Sequence, residues 1–115
     1  MAYRALHRFA RISPRKARLV ADLIRGKNVD DALTMLSFSK LRAAWYYKAI
    51  VKSAIANAEE KNANVAALYV SEARVDGGPK LKRWQPKDRG RAFQILKPTA
   101  HLHLALDERQ AGAKK

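Results

Sequence analysis

The chain has 115 residues, no cysteine, and 24 Lys and Arg residues against 10 Asp and Glu residues, which gives a formal net charge of +14. This length fits one domain with a single hydrophobic core, and the lack of cysteine excludes disulfides, thiolate nucleophiles and Cys-ligated zinc. A charge of this size needs a polyanion to offset its self-repulsion, so nucleic acid and anionic membranes are the candidate partners.

The hydropathy pattern argues against a membrane-inserted or secreted chain. Charged residues interrupt the apolar stretches well short of the about 20 residues that span a bilayer. Arg4, Arg8 and Arg11 are not followed by an apolar run, so the N-terminal segment does not resemble a secretory signal peptide. The expected location is the cytosol.

The positive charge is concentrated in two segments. Residues 1–27 contain eight basic residues and one acidic residue, and residues 80–98 contain seven and one, so their net charges are +7 and +6. Residues 28–76 contain six of each kind and are neutral overall. Because a surface charged only for solubility intersperses both signs, this distribution predicts two anion-facing surfaces on a neutral scaffold.

The N-terminal part of the chain predicts a strand followed by a helix. Residues 2–12 alternate apolar residues with Arg and His, as a strand with one face against a core does. Ser13 and Pro14 predict the start of the helix, and Gly26 suits the left-handed position after its end near Arg25. The apolar face of this helix comprises Ala17, Val20, Ala21 and Ile24, and the other face carries Arg15, Arg18 and Arg25.

Two further helices are predicted before the next strand. Asn28 or Asp30 caps a short helix that ends near Phe38, and Ser39 caps a longer one that runs to about Lys61. The longer helix has an apolar stripe at helical spacing, formed by Ala44, Tyr47, Ile50, Val51, Ala54, Ile55 and Ala58.

One aromatic residue lies off this stripe. Trp45 points away from it together with Lys48 and Lys52. Two interpretations remain open: the indole stacks on a partner, or it makes a peripheral core contact, and the second is favoured.

The last part of the chain predicts two paired strands and a long hairpin between them. Leu68–Val75 and His101–Leu106 have strand composition and are expected to pair antiparallel. Turn signals around Pro86–Gly90 lie midway between them and divide the intervening segment into two arms of about ten residues, each roughly 30 Å long. Because such a like-charged ribbon is marginal in water, an enclosing polyanion is expected to order it.

Several motifs in sequence order resemble a known family. They are Arg11–Lys16, Arg18–Gly26, Ser53–Ala58, Val75-Asp76 with Gly78-Pro79, and Gly90–Ala92. Together they make almost the whole chain similar to bacterial-type large-subunit ribosomal protein twenty-two. The chain departs from the family pattern at Lys97–His101, where the family usually has Lys-Arg-Thr-Ser-His, and at Trp84, where an aliphatic residue is expected.

The resemblance implies an α+β fold, in which a three-stranded antiparallel sheet packs on three helices and a long basic β-hairpin extends between the last two strands. The expected organisation is one ribosomal-protein domain over residues 1–115. Its globular part is at about 1–78 and 99–108, its hairpin at about 79–98, and a flexible C-terminal tail at 109–115.

The resemblance also implies a function: a structural constituent of the large ribosomal subunit, which binds the large-subunit (23S-type) rRNA and supports subunit assembly. The other expected partners are neighbouring large-subunit proteins and the nascent peptide, because the hairpin lines the exit tunnel. No enzymatic activity, cofactor, metal, membrane insertion or homo-oligomer is expected. The location implied is the cytoplasmic ribosome, with an organellar ribosome as the alternative.

The predicted rRNA-binding residues lie in both basic segments and beside them. They are Arg4, Arg8, Arg11, Ser13, Arg15, Lys16, Arg18, Arg25, Lys27, Asn57, Lys80, Lys82, Arg83, Lys97, Thr99 and His101. The predicted tunnel-facing residues are Trp84, Gln85, Pro86, Lys87, Asp88, Arg89, Gly90 and Arg91.

Other functions have weaker support. His101 and His103 share a strand face and can offer two metal ligands, but no third ligand is evident, so surface or RNA-facing histidines are favoured. The adjacent carboxylates Asp30-Asp31 and Glu59-Glu60 diverge on helices and form no shared metal site, which argues against a nuclease. The strongest alternative is a free, extraribosomal RNA- or DNA-binding protein.

Two further features have a simpler interpretation beside the RNA-binding one. The arginine face of the first helix is either solvated or bound to RNA, and the surrounding basic cluster favours RNA. Asn57 and Asn62 are equally suited to bind phosphate or base edges and to act as ordinary caps or solvated groups.

A membrane-surface helix is disfavoured because the core requires the apolar face of the first helix.

Overall fold

The computed structural model describes residues 3–86 and 92–109, with the backbone alone for residues 85, 86 and 92–94. The elements in chain order are β1 (Tyr3–Ala10), α1 (Pro14–Ile24), α2 (Val29–Phe38), α3 (Arg42–Glu60), a 3-10 turn (Val65–Ala67), β2 (Leu68–Gly77), β3 (Leu81–Pro86), β4 (Ala92–Lys97) and β5 (Ala100–Glu108). The predicted α+β class is confirmed. No helix in these ranges is both long and apolar enough to cross a membrane.

The main sheet is antiparallel, with strand order β1-β5-β2. β5 is the central strand: Leu106 lies opposite Tyr3 of β1, and Leu102 lies opposite Val75 of β2. The predicted pairing of the second and last strands of the globular part is therefore confirmed. Leu102 and Leu106, together with Leu104, are fully buried and belong to the core that the sheet forms with the helices.

The predicted apolar faces form the helical side of this core. The four apolar residues predicted for α1 are all buried, and those predicted for α3 are buried except Ile55, which is half-buried. Tyr47 is the largest fully buried side chain, and its hydroxyl donates a hydrogen bond to the carbonyl of Arg74 at 3.2 Å. Burial raises the pKa of Tyr47 well above its ordinary value.

The helix boundaries agree with the predictions except at one start. Gly26 has the expected left-handed φ of +83° after α1. Ser13 occupies the cap position of α1, but its hydroxyl makes no capping hydrogen bond. The predicted Ser39 cap of α3 is wrong: the cap residue is Leu41, whose amide donates to the Ser39 hydroxyl at 3.2 Å, while Ser39 ends α2 by donating its own amide to Met35.

Other segments of the chain cover the edge of β2 that faces away from β5. The amide of Gly26 donates to the carbonyl of Val70 at 2.9 Å, and the amide of Val70 donates to the carbonyl of Lys27 at 2.8 Å. Arg109, the first residue of the expected tail, donates to the carbonyl of Gly26 at 3.1 Å and stacks 4.3 Å from the ring centre of Tyr69. The backbone N–H and C=O of Val70 at this edge are therefore hydrogen-bonded within the protein and are not available to another strand.

The predicted hairpin consists of β3 and β4, which form a separate two-stranded sheet. Pairing runs from Leu81 opposite Lys97 to Pro86 opposite Ala92, so each strand has six residues and is about 20 Å long, shorter than the predicted arms. The radius of gyration is 17.5 Å, against roughly 13 Å for a compact chain of this length. The hairpin therefore extends away from the globular part.

Candidate nucleic-acid interface

Close packing fixes the base of the hairpin on the domain. The amide of Gly78 donates to the carbonyl of Thr99 at 3.0 Å, and the Thr99 hydroxyl donates to the carbonyl of Pro79 at 2.6 Å. A Cβ at Gly78 would lie 2.5 Å from the Thr99 Oγ1 and 3.3 Å from the His101 Nε2. A side chain at position 78 would therefore displace the Thr99 side chain. Thr99, a predicted rRNA-binding residue, is buried, and its hydroxyl is already hydrogen-bonded.

Next to this base lies an open cleft of about 390 Å³ between the first turn of α1 and the hairpin. Its lining, termed the basic cleft below, comprises Ser13, Pro14, Arg15, Arg18, Lys80, Leu96 and Pro98. Arg15 and Arg18 come from the first basic segment, and Lys80 comes from the second. The fold thus brings the two basic segments together at one concave surface.

The three cations of the basic cleft differ in their internal contacts. The Arg18 Nη2 donates to the carbonyl of Val75 at 3.2 Å, which ties this guanidinium to the end of β2. Arg15 and Lys80 are exposed, and their side chains make no hydrogen bond or ion pair with any described residue. No carboxylate among the described residues pairs with any of the three charges, and Arg15 and Lys80 are in addition free to move towards a ligand.

The other predicted rRNA-binding cations fall into two groups. Those that are exposed, with side chains that have no polar partner in the described part of the chain, are Arg8, Arg11, Lys16, Lys27, Lys82 and Lys97. Arg8 lies 5.1 Å from the ring centre of Phe9. Arg83 donates to the adjacent carbonyl of Lys82 at 3.0 Å and is also exposed.

The second group forms bonds within the protein. Arg4 pairs with Glu72 at 3.0 Å. Arg25 pairs with Asp22 at 2.7 Å and also donates to the carbonyl of Ala73 at 2.6 Å. Because both pairs are surface ion pairs, each contributes little stability, but both reduce the charge available to a ligand.

Two uncharged predicted residues also have internal partners. The Asn57 Nδ2 donates to the carbonyl of Arg4 at 3.1 Å, which links α3 to β1. The His101 Nδ1 accepts a hydrogen bond from the amide of Phe9 at 3.1 Å, at the irregular end of β1 where Phe9 has a φ of 57°. Both side chains therefore already make a hydrogen bond within the protein.

Polar side chains on the outer face of the main sheet contact one another. Asp76 accepts contacts from Arg74 at 3.5 Å and from the His103 Nε2 at 3.0 Å. His101 and His103 have different partners within the protein, Phe9 and Asp76. Within residues 3–86 and 92–109, no group of three His, Asp or Glu side chains is arranged to hold a metal.

The hairpin places a large aromatic residue in solvent. Trp84 lies on β3 opposite Gln94 and is 67% exposed. Gln85 and Pro86 complete β3, for which only the backbone is described. The predicted tunnel-facing residues Lys87, Asp88, Arg89, Gly90 and Arg91 lie outside the described residues.

Comparison with known proteins identifies the family. The family model described as ribosomal protein L22p/L17e matches residues 5–107. The chain belongs to this family. The resemblance found in the sequence is thereby confirmed, and membership makes the chain a structural constituent of the large ribosomal subunit and not an enzyme. The predicted ribosomal location is confirmed in the same way.

Individual relatives match the chain over nearly its full length. Large ribosomal subunit protein uL22 of Geobacter sulfurreducens is 52% identical over 103 residues, which cover 89% of this chain and 93% of the relative. The protein of the same name from Syntrophobacter fumaroxidans is 48% identical over 110 residues, covering 95% and 100%. That of Clostridium novyi is 46% identical over 110 residues, covering 95% and 99%.

Sequence reasoning missed several parts of this L22p/L17e surface. It did not place Leu96 or Pro98 in the lining of the basic cleft, although Pro98 was recognised as a departure from the family pattern. It also missed the internal bonds of Arg18 and Arg25 to backbone carbonyls of β2. These contacts join residues about 50 positions apart, and no local pattern in the sequence signals them.

Proposed function

We propose that this member of the L22p/L17e family binds large-subunit rRNA through the basic cleft and the exposed cations around it, supports subunit assembly, and lines the nascent-peptide exit tunnel with its hairpin. The observation that carries the proposal is the meeting of both basic segments in one cleft. A chain selected only for solubility has no need to bring its two most basic segments together.

The chemistry of the basic cleft suits an RNA phosphate. Arg15 and Lys80 are exposed and unpaired among the described residues, so a phosphate gains their charge without displacing an internal carboxylate. The bond of Arg18 to Val75 limits the movement of a third cation. The cleft also borders the first turn of α1, where the helix dipole favours an anion.

Most of the other predicted residues either are free to contact RNA phosphates or make hydrogen bonds within the protein. The exposed cations Arg8, Arg11, Lys16, Lys27 and Lys97 are suited to phosphate contacts, which position a protein on RNA without reading its sequence. Arg18, Arg25, Asn57, Thr99 and His101 make internal bonds, so any RNA contact by them must be compatible with those bonds.

The hairpin is proposed as the tunnel-lining part. Lys82, Arg83 and Lys97 are exposed on a two-stranded ribbon, and a ribbon of this kind is marginally stable in water. Enclosure by rRNA would neutralise these charges and order the ribbon. The exposed Trp84 and the residues towards the turn would then face the nascent peptide, and neighbouring large-subunit proteins would pack around the domain.

The domain organisation proposed from the sequence is retained with this function. The proposal keeps a globular part at about 1–78 and 99–108, a hairpin at about 79–98 and a C-terminal tail at 109–115, within a single domain. The bonds between Gly78, Pro79 and Thr99 lie at the proposed boundary and support it.

A nucleic-acid panel tests the RNA-binding proposal. The protein is titrated in filter-binding assays with large-subunit rRNA, with random RNA of equal length and with duplex DNA. We expect preference for the rRNA and cosedimentation of the endogenous protein with intact large subunits. Equal affinity for all three nucleic acids, without cosedimentation, would instead support a free RNA- or DNA-binding protein.

A register shift in the hairpin tests the tunnel proposal. Deleting residues 82–84 removes an odd number of residues from β3, so the following side chains change faces relative to β4. We expect incorporation into subunits with altered tunnel density and altered response to antibiotics that occupy the tunnel. A triple alanine substitution of the same residues keeps the register and serves as the control. Unchanged density and drug response in the deletion variant would contradict tunnel lining.

A further inference from the structure

The outward face of α3 carries a second, smaller hollow that is separate from the basic cleft. It has a volume of about 260 Å³ and is lined by Trp45, Lys48, Ala49 and Lys52. None of these residues belongs to the basic cleft or to the predicted rRNA-binding set. Trp45 is 70% exposed, whereas the favoured sequence interpretation was a peripheral core contact.

The indole of Trp45 is supported from one side. It makes an edge contact with Tyr46, whose ring centre is 5.1 Å away at an interplanar angle of 73°. Tyr46 is itself buried, receives an edge contact from His7 at 5.2 Å, and accepts a hydrogen bond from Arg42 at 3.3 Å. These contacts restrict the position of the indole, while most of its surface remains in solvent.

The charges around the indole are uncompensated. Lys48 and Lys52 are one helical turn apart, and neither ammonium makes a hydrogen bond or ion pair with the described residues. Like charges at this spacing destabilise a helix slightly, and a tryptophan that is 70% exposed gains little from burial. The hollow has no acidic lining residue. The arrangement is unfavourable for the free protein and complementary to a partner that is both flat and anionic.

We propose that this hollow binds an unpaired base of RNA. The base stacks on Trp45, and its flanking phosphates pair with Lys48 and Lys52. Aromatic platforms beside cations are the usual means of binding single-stranded RNA. A protein partner fits less well, because lysine is depleted in the centre of protein interfaces. For the class of partner, this inference rests on the proposed function, but it concerns a different surface.

Substitutions that separate stacking from charge test the proposal. Affinity for large-subunit rRNA is measured by filter binding at several salt concentrations. We expect Trp45→Ala to weaken binding roughly 5- to 100-fold with little change in salt dependence, because stacking releases no counterions. Trp45→Phe retains most of the affinity, since a phenyl ring also stacks. Lys48→Gln with Lys52→Gln lowers the salt dependence. Phe38→Ala, which removes an exposed aromatic side chain from the end of α2, is the matched control and has no effect.

Tryptophan fluorescence tests the same proposal without an affinity measurement. The chain has two tryptophans, so Trp84→Phe leaves Trp45 as the sole one, and we expect its fluorescence to be quenched when large-subunit rRNA binds. If the rRNA binds but Trp45 emission and the affinity of Trp45→Ala are unchanged, this inference is wrong and the proposed function stands. Equal losses for Trp45→Phe and Trp45→Ala would also overturn it, as would crosslinking of Trp45 to protein alone in assembled subunits. If the wild-type protein does not bind the rRNA, both proposals fail.

Discussion

Removing the two unpaired cations of the basic cleft should reduce the electrostatic part of RNA binding by a predictable amount. Arg15→Gln with Lys80→Gln takes one charge from each basic segment. Both side chains are exposed and make no polar contact with the described residues, so no internal bond is broken. Arg18 is left unchanged because its bond to Val75 would be lost with the charge.

The expected magnitude follows from counterion release. Each phosphate contact contributes about 0.7 to 0.9 to the slope of log affinity against log salt, so two contacts contribute about 1.4 to 1.8. At about 0.15 M salt, this slope corresponds to a loss of roughly 15- to 30-fold in affinity relative to a 1 M reference, or about 1.6 to 2 kcal/mol.

The assay is filter binding to large-subunit rRNA between about 0.05 and 0.2 M salt, the range over which such slopes are steep. Lys61→Gln with Lys115→Gln removes the same charge outside both basic segments and is the control. An unchanged slope in the cleft variant, or an equal decrease in the control, would refute the assignment of phosphate contacts to the cleft.

Three other predictions concern stability. Gly78→Ala should lower the free energy of unfolding by about 1 to 3 kcal/mol in urea denaturation, because the new methyl group meets the buried Thr99 hydroxyl at 2.5 Å; an unchanged midpoint would contradict this. Replacing residues 79–98 by a short turn should leave cooperative unfolding and helical circular dichroism intact, whereas a non-cooperative melt would place the domain boundary elsewhere. Stability should fall as pH rises above about 10, since the unfolded chain loses the Tyr47 proton while burial keeps it in the folded state; Tyr47→Phe should flatten this fall, and equal slopes would exclude Tyr47 as its source.

The elements of the globular part could be predicted because burial leaves a periodic pattern in the sequence. The apolar residues of α1 and α3 recur at helical spacing, and those of β5 alternate, so each pattern specifies both the element and its buried face. The start of α3 was harder to predict from the sequence. Ser39 has the chemistry of a cap, but its backbone closes α2 and its hydroxyl holds the turn before Leu41.

The candidate interface was predicted as two anion-facing surfaces, one for each basic segment, and not as a single cleft that both segments line. Charge counting found both basic segments, but their meeting at Arg15 and Lys80 depends on how the hairpin base is fixed beside α1. The internal use of Arg25 and Thr99 likewise depends on contacts between distant parts of the chain. Composition reports how much charge a segment has, whereas tertiary packing decides which charges remain available.

The central position of β5 has a consequence for the order of folding. In the main sheet of the described residues, β1 and β2 each lie next to β5 and not next to each other, so neither has its neighbouring strand until β5 has been synthesised. The pairing of Tyr3 with Leu106 closes nearly the whole chain into a loop, and such non-local closure is slow compared with helix formation. The residue that anchors the hairpin, Thr99, directly precedes β5. Completion of the sheet and attachment of the hairpin should therefore occur as one late, cooperative step.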